Sequence, residues 1–238
     1  MIGLGTILNV IGVLVGGVAG LLFGKRFSPR FQDILTNANG LCVVFLGIAG
    51  TLEEMMSVEN GHLTSGGTMM MVASLAIGSL IGEWINLEQR MEDFGYWLRE
   101  KTKSEGDNAF VEGFVTASLT ICIGAMAVVG PIQDALEHNY STLMTKAVLD
   151  AIIILVMTAS MGKGCIFSAI PIALFQGSIT ILARFIEPLM TPQALSNLSL
   201  TGSILIFCVG TNIVWGKRIK VANMLPAIVI AVICALIP

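Results

Sequence analysis

The sequence predicts an all-α fold, a polytopic transmembrane helix bundle of about eight spans within a range of six to eight, on three observations. Of its 238 residues 55% are hydrophobic and only 12% are charged, against about 25% charged in a soluble domain. Several runs go without charge for roughly 18 residues or more, the length that crosses a hydrocarbon core of about 30 Å. The cations gather in alternate connections between those runs, as the positive-inside rule requires of a chain threaded through a bilayer.

Hydropathy places the spans at residues 4–24, 37–52, 66–86, 110–130, 145–161, 165–186, 197–215 and 221–237, in a single integral membrane domain over 1–238. Lys25, Arg26 and Arg30 follow the first span, Arg90, Arg99, Lys101 and Lys103 the third, Lys163 the fifth, and Lys217, Arg218 and Lys220 the seventh. Only Lys146 and Arg184 fall on the opposite side, where Glu53, Glu54, Glu59 and His62 follow the second span. Eight crossings put every basic loop in the cytoplasm and both termini outside. The N-terminal run from Ile2 reads as a retained first helix, with a cleaved signal peptide as the alternative.

The first span carries Gly12, Gly16, Gly20 and Gly24, and the third carries Gly78 and Gly82. Residues four apart share one helical face, so each set is a flat strip where another backbone approaches, either inside the chain or at a homo-oligomer seam. Asn9 lies on the outer half of the first helix. Residues 87–103 place Leu87, Met91, Phe94 and Leu98 at helical spacing among charges, beside Trp84, Tyr96 and Trp97 at headgroup level. That is an amphipathic helix on the cytoplasmic surface or continuing the third span, and the segment 104–109 after it reads as the one real linker. Short likenesses among 39–50, 117–127 and 201–212 suggest an internal repeat of the kind transporters use.

The stretch 145–177 holds the residue hardest to leave unexplained. Asp150 sits inside an apolar segment, where a charge costs roughly 2.5–3.5 kcal/mol and faces a partner or a task. It is read as either a structural ion pair, with Lys146 one turn earlier, or a site for solute or proton. The fifth span looks short, and the break Gly162-Lys163-Gly164 leads into Ser168 and Pro171. Proline cannot donate to the carbonyl four residues earlier, and a Gly- and Pro-interrupted helix pair is a sequence pointer to a transport site. Gln176 is placed to line it. Glu112, Thr116 and Thr120 form a polar stripe climbing the fourth span, with Asn212 as a further candidate; back-bonding of the hydroxyls to their own helix is the plainer account of each. Asn223 reads as a helix cap, and Asp134 as an outer-loop residue without a task.

The five cysteines show no Cys-x-x-Cys spacing and lie in or beside apolar spans, so no disulfide framework, no metal and no cofactor is expected. Both histidines fall in outer loops, and no phosphate-binding loop, zinc-protease motif or serine with a histidine base is present. The chain is not expected to be an enzyme or to bind nucleic acid. The absence of a deep Lys or Arg argues against a dianionic substrate.

Four blocks carry a resemblance: GTILNVIGVLVGGVAGLLFGK, EGFVTASLTICIGAMAVVGPIQDAL, KAVLDAIIILVMTASMGKGCIFSAIPIALFQGSIT and KRIKVANMLPAIVIA. Together they resemble the YdfK/YqgA-like family of bacterial inner-membrane proteins, a domain of unknown function, over nearly the whole chain. The resemblance implies a multi-pass protein of the bacterial cytoplasmic membrane and supplies no site residues. The functional expectation therefore rests on the residues: a transporter or channel-like carrier, in contact with the lipid bilayer, for a small polar solute or ion, coupled to a proton or cation. The alternative is a non-transporting scaffold or regulator assembling through its glycine faces.

Overall fold

A computed structural model describes residues 2–24, 26–59, 61–104 and 109–236. The chain is a helical membrane bundle: α1 (Leu4–Gly24), α2 (Pro29–Met55), α3 (Thr68–Ile85), α4 (Leu87–Lys101), α5 (Phe110–Cys122), α6 (Met126–Leu136), α7 (Ser141–Met161), α8 (Ala169–Ile186), α9 (Pro192–Trp215), α10 (Val221–Met224) and α11 (Pro226–Leu236). A 3-10 turn, Lys163–Ser168, joins α7 to α8. A small antiparallel hairpin, β1 (Met56–Glu59) with β2 (His62–Ser65), occupies the acidic connection read as plain loop. The linker expected at 104–109 falls mostly outside the described residues.

Among the described residues six helical segments are long and apolar enough to cross a membrane, the bent pair α5–α6 adds a seventh if it is one span, and Val221–Leu236 is a shorter apolar stretch. Glycine decides how they pack. A Cβ on Gly12, Gly16, Gly20 or Gly24 would strike the backbone of Ala147, Ala151, Leu155 or Ala159 in turn, so the α1 strip is filled by α7 of the same chain. Gly40, Gly47 and Gly50 of α2 likewise meet Ile213, Phe207 and Ser203 of α9, and Gly78 and Gly82 of α3 meet Ala227 and Asn223. Close backbone approach of this kind is how helices hold together where lipid supplies no hydrophobic drive. The opposite faces of these helices, with Val15, Leu22, Phe45 and Leu80 all more than half exposed, turn outward to the bilayer.

The order of those contacts fixes helix direction. Ascending partners make α1 and α7 parallel, and descending partners make α2–α9 and α3–α11 antiparallel. If α5 and α6 turned back to the side they came from, α7 would run antiparallel to α1. They form one broken span, and the connections α1–α2, α3–α5, α7–α8 and α9–α10 share one face of the bundle.

Two sequence expectations about length need correction. The fourth span, read as continuous over 110–130, is bent by 58° between α5 and α6. Ile123 is extended and Gly124 has φ +133°, a conformation L side chains rarely adopt. The fifth span, read as short, is a full 21-residue helix from Ser141, about 31 Å at 1.5 Å per residue.

On the basic face, α4 is locked by reciprocal capping. Glu88, buried in its first turn, accepts the Ala222 N–H of α10 at 2.9 Å, while the Asn223 side chain of α10 accepts the Glu88 N–H at 2.6 Å. Each helix thus satisfies a free N-terminal donor of the other. Lys217 joins the same knot, 2.7 Å from Glu88 and paired with Glu92. Burial pulls the Lys217 ammonium down, but the Glu88 and Glu92 carboxylates outweigh it and hold its pKa above the usual lysine value. A raised folded pKa gives stabilisation that is complete below the unfolded value, about 10.4, and lost as pH rises through the folded one. The thermal midpoint of Lys217→Met should therefore lie below that of the wild type at neutral pH, with the gap closing at strongly alkaline pH; a gap that widens there would contradict the assignment.

Candidate functional site

The break in α5–α6 lies in the interior and exposes two half-helix ends at membrane depth. The last carbonyls of an α-helix have no partner of their own and carry a partial negative charge. In lipid such groups must be satisfied by protein or water. Here the Lys146 ammonium donates to the Ile121 carbonyl at 2.9 Å and to both Asp150 oxygens at 2.8 and 2.7 Å. Lys146 and Asp150 are 7% and 3% exposed, so this is a buried latch joining α7 to the broken end of α5.

That finding overturns the expectation that no deep cation exists, and with it the argument against a dianionic substrate. Lys146, named as a candidate partner of Asp150, reads as a surface residue when the span is started at 145, whereas α7 starts at Ser141. Nothing in the periodicity signals that α5 stops opposite it.

The second half of the site is a polar seam between α1 and α8, leading from the latch toward the face opposite the basic loops. Asn9 donates to Gln176 at 3.2 Å, both fully buried, and Asn9 also interacts with Asp150. One turn further out Thr6 and Thr180 share a hydrogen bond at 3.3 Å, and beyond them Asp134 accepts the Gly5 N–H at 2.9 Å. Asp134, read as a residue of an outer loop, is instead wholly buried in α6, its carboxylate on the first turn of α1 where the helix dipole favours an anion.

From the basic face a cavity of about 510 Å³ enters the bundle, lined among others by Glu112 and Thr116 of α5, Asn212 of α9, Glu88, Glu92 and Lys217. Its lining includes Leu119, two residues short of the latched carbonyl. Leu119 also lines an apolar groove of about 590 Å³ that includes Cys122, Ile123, Pro171 and Phe175.

The residues singled out in the sequence thus divide between two places. Glu112, Thr116 and Asn212 line the vestibule, although the Asn212 amide is already engaged, accepting from the N–H groups of Arg218 and Ile219 and donating to the Ile219 carbonyl. Asn9, Asp150 and Gln176 belong to the sealed seam. Thr120 and Ser168 turn back on their own backbone, donating to the Thr116 carbonyl at 2.8 Å and the Cys165 carbonyl at 2.7 Å. Pro171 sits in the first turn of α8, where its missing N–H breaks no ladder.

The interruption expected at 162–171 therefore exists, with Gly164, Cys165 and Ser168 of its 3-10 turn buried and Pro171 on the apolar groove. Gly162 turns at φ +90°, and Gly164 presses the 3-10 segment onto the Phe110 carbonyl of α5. Among the described residues no group of His, Cys, Asp and Glu is arranged to hold a metal ion.

The chain matches the family described as "Protein of unknown function (DUF554)" over residues 4–236. It is 32% identical over 226 residues to the uncharacterized membrane protein YdfK of Bacillus subtilis (strain 168), covering 95% of this chain and 93% of that one. It is 27% identical over 232 residues to the uncharacterized protein YqgA of Escherichia coli (strain K12), with 96% and 94% covered. No solved structure matches it.

Proposed function

Because this chain belongs to the DUF554 family, whose description names no activity, we propose from its geometry that it is a membrane carrier or channel-like transporter for a small polar solute or ion. The observation that carries the reading is the broken α5–α6 span, with its freed carbonyl held by a buried lysine–aspartate latch next to a polar vestibule. Discontinuous helices whose ends meet at mid-membrane are the sites transporters build for substrates and coupling ions. A buried ion pair is also weak evidence of stabilisation, since apolar packing serves as well, so its presence favours a task.

By the positive-inside rule the face carrying Arg99, Lys101, Lys163 and Lys217 is cytoplasmic. The vestibule then opens inward, both termini lie outside, and the membrane is the bacterial cytoplasmic membrane. Solute entering past Glu112 and Thr116 reaches Leu119, and passage needs the Lys146 latch to let go of α5. The filling of the α1 and α3 glycine faces by α7, α10 and α11 of the same chain supports the carrier over the scaffold alternative.

The test is a thermal-shift screen of purified protein against cations, amino acids, polyamines and small organic acids. A ligand present at about 100 times its Kd adds about 2.7 kcal/mol to the folded state. At least one class should raise the midpoint, and Thr116→Trp, which fills the vestibule, should remove that rise. In reconstituted vesicles the same solute should cross with the wild type and not with Thr116→Trp; unaltered flux in that variant would defeat the reading.

A further inference from the structure

The seam beyond the latch does something the vestibule does not explain. It places buried polar groups between α1, α6 and α8, away from the glycine strip that holds α1 against α7. Its groups follow one another by about a turn along both helices: Gly5, Thr6 and Asn9 on α1, Thr180 and Gln176 on α8. Thr180 also donates to the Gln176 carbonyl at 2.9 Å, tying the two levels together. Three of its polar atoms, Asn9 Oδ1, Gln176 Nε2 and Asp134 Oδ1, are buried without a hydrogen-bond partner among the described residues. Buried polar groups in that state are normally served by internal water.

We propose that this seam is a water-assisted proton path through the outer half of the membrane, from Asp134 past Thr6–Thr180 and Asn9–Gln176 to Asp150, and that the proton is the ion that works the latch. The proposal rests on the carrier reading for what the latch does, but not for the path itself.

The chemistry balances without any co-reactant. A proton entering from the outer face is handed through bridging water to the buried, unpartnered Oδ1 of Asp134. Hydroxyls both donate and accept, so Thr6 and Thr180 relay protons through ordered water, while the two amides orient that water and are not themselves protonated. The proton that leaves the inner end is taken by Asp150, turning the carboxylate into a neutral acid. Lys146 keeps its own proton and its bond to the Ile121 carbonyl but loses its counter-charge. A buried ammonium without a partner is strongly unfavourable, so the latch is released, α5 parts from α7, and Asp150 gives its proton to vestibule water on the inner side, which restores the carboxylate and the latch. The groups that act on Asp150 are Lys146 on its own helix and the neutral amide of Asn9 on α1, with the Cys122 thiol of α5 near the pair.

The experiment is proton flux into vesicles of phosphatidylethanolamine and phosphatidylglycerol, with an entrapped pH dye and a potassium–valinomycin potential. Wild-type vesicles should change lumenal pH faster than protein-free ones. Thr180→Val and Gln176→Leu should each fall to the protein-free rate, and Gln176→Glu should restore flux. Thr180→Val gives up the long bond to Thr6 and the back-bond to its own helix at the Gln176 carbonyl, which already has its place in the helix ladder, and keeps the shape, so its thermal midpoint should stay near wild type and guards against a folding artefact in Gln176→Leu.

A wild type no faster than empty vesicles overturns the proposal, as does folded Thr180→Val or Gln176→Leu conducting like wild type. The two readings fail separately. If seam variants stop protons while no solute stabilises the protein, the path stands and the carrier falls. If a solute binds and Thr116→Trp abolishes its effect while seam variants conduct normally, the carrier stands and the path falls.

Discussion

Lys146→Met is expected to destabilise the protein by about 3–5 kcal/mol, and Asp150→Leu by a similar amount, because each strands the opposite charge in the interior. The pair is 3–7% exposed with contacts of 2.7 and 2.8 Å, so little water screens it. The double variant Lys146→Met/Asp150→Leu should lose less than either single one. It removes both charges and leaves only the Ile121 carbonyl without its donor, a cost of about 1–3 kcal/mol. Denaturation in mild detergent, run as a double-mutant cycle, measures the coupling directly. Additive single effects, or single effects below roughly 1 kcal/mol, would mean the latch is not formed as described. A double variant that folds well yet carries no solute would separate the working role of the pair from its structural one.

Gly16→Leu is expected to prevent assembly of the folded monomer. A Cβ at Gly16 would run into the carbonyl and Cα of Ala151, which are backbone and cannot rotate away. Overpacking a tight core costs about 1–3 kcal/mol even where side chains can yield, and here the whole α1–α7 interface must open. The matched control is Gly177→Ala on α8, where an added Cβ meets nothing within 4 Å. That change should be neutral or stabilising by up to about 1 kcal/mol through helix propensity alone. The two variants are compared by elution profile and thermal midpoint, and equal behaviour would rule out the glycine-mediated packing.

The membrane character and nearly every helix were legible in the sequence, because length, apolarity and loop charge act residue by residue. The Gly12 to Gly24 strip announced a close backbone partner but not which one; only the contacts with Ala147, Ala151, Leu155 and Ala159 settle that. Asp150 was legible as a problem because a carboxylate in oil must be explained. Lys146, four residues away, was legible as its partner only in the shallow sense, since depth depends on where α5 ends. That end was hidden. Ile123-Gly124-Ala125 sits in a run of small and apolar residues that reads as continuous helix, and the positive φ of Gly124 is a tertiary outcome. The louder signal, Gly162-Lys163-Gly164 with Pro171, marked a real turn, but one away from the Lys146–Asp150 latch. Asp134 was misread because Gly130 and Pro131 look like a span's end, whereas Pro131 sits inside α6.

The parallel pairing of α1 with α7 has a consequence for biogenesis. The glycine ridge of the first helix has no partner until the ribosome has delivered the chain through Met161, a wait on the order of ten seconds at typical elongation rates. During that interval the nascent N-terminal hairpin must float in lipid with its recognition face bare, open to capture by any other small-residue helix nearby. Insertion and final assembly are therefore separate events for this protein, and slowing translation between the two partners should raise the share of misassembled chains.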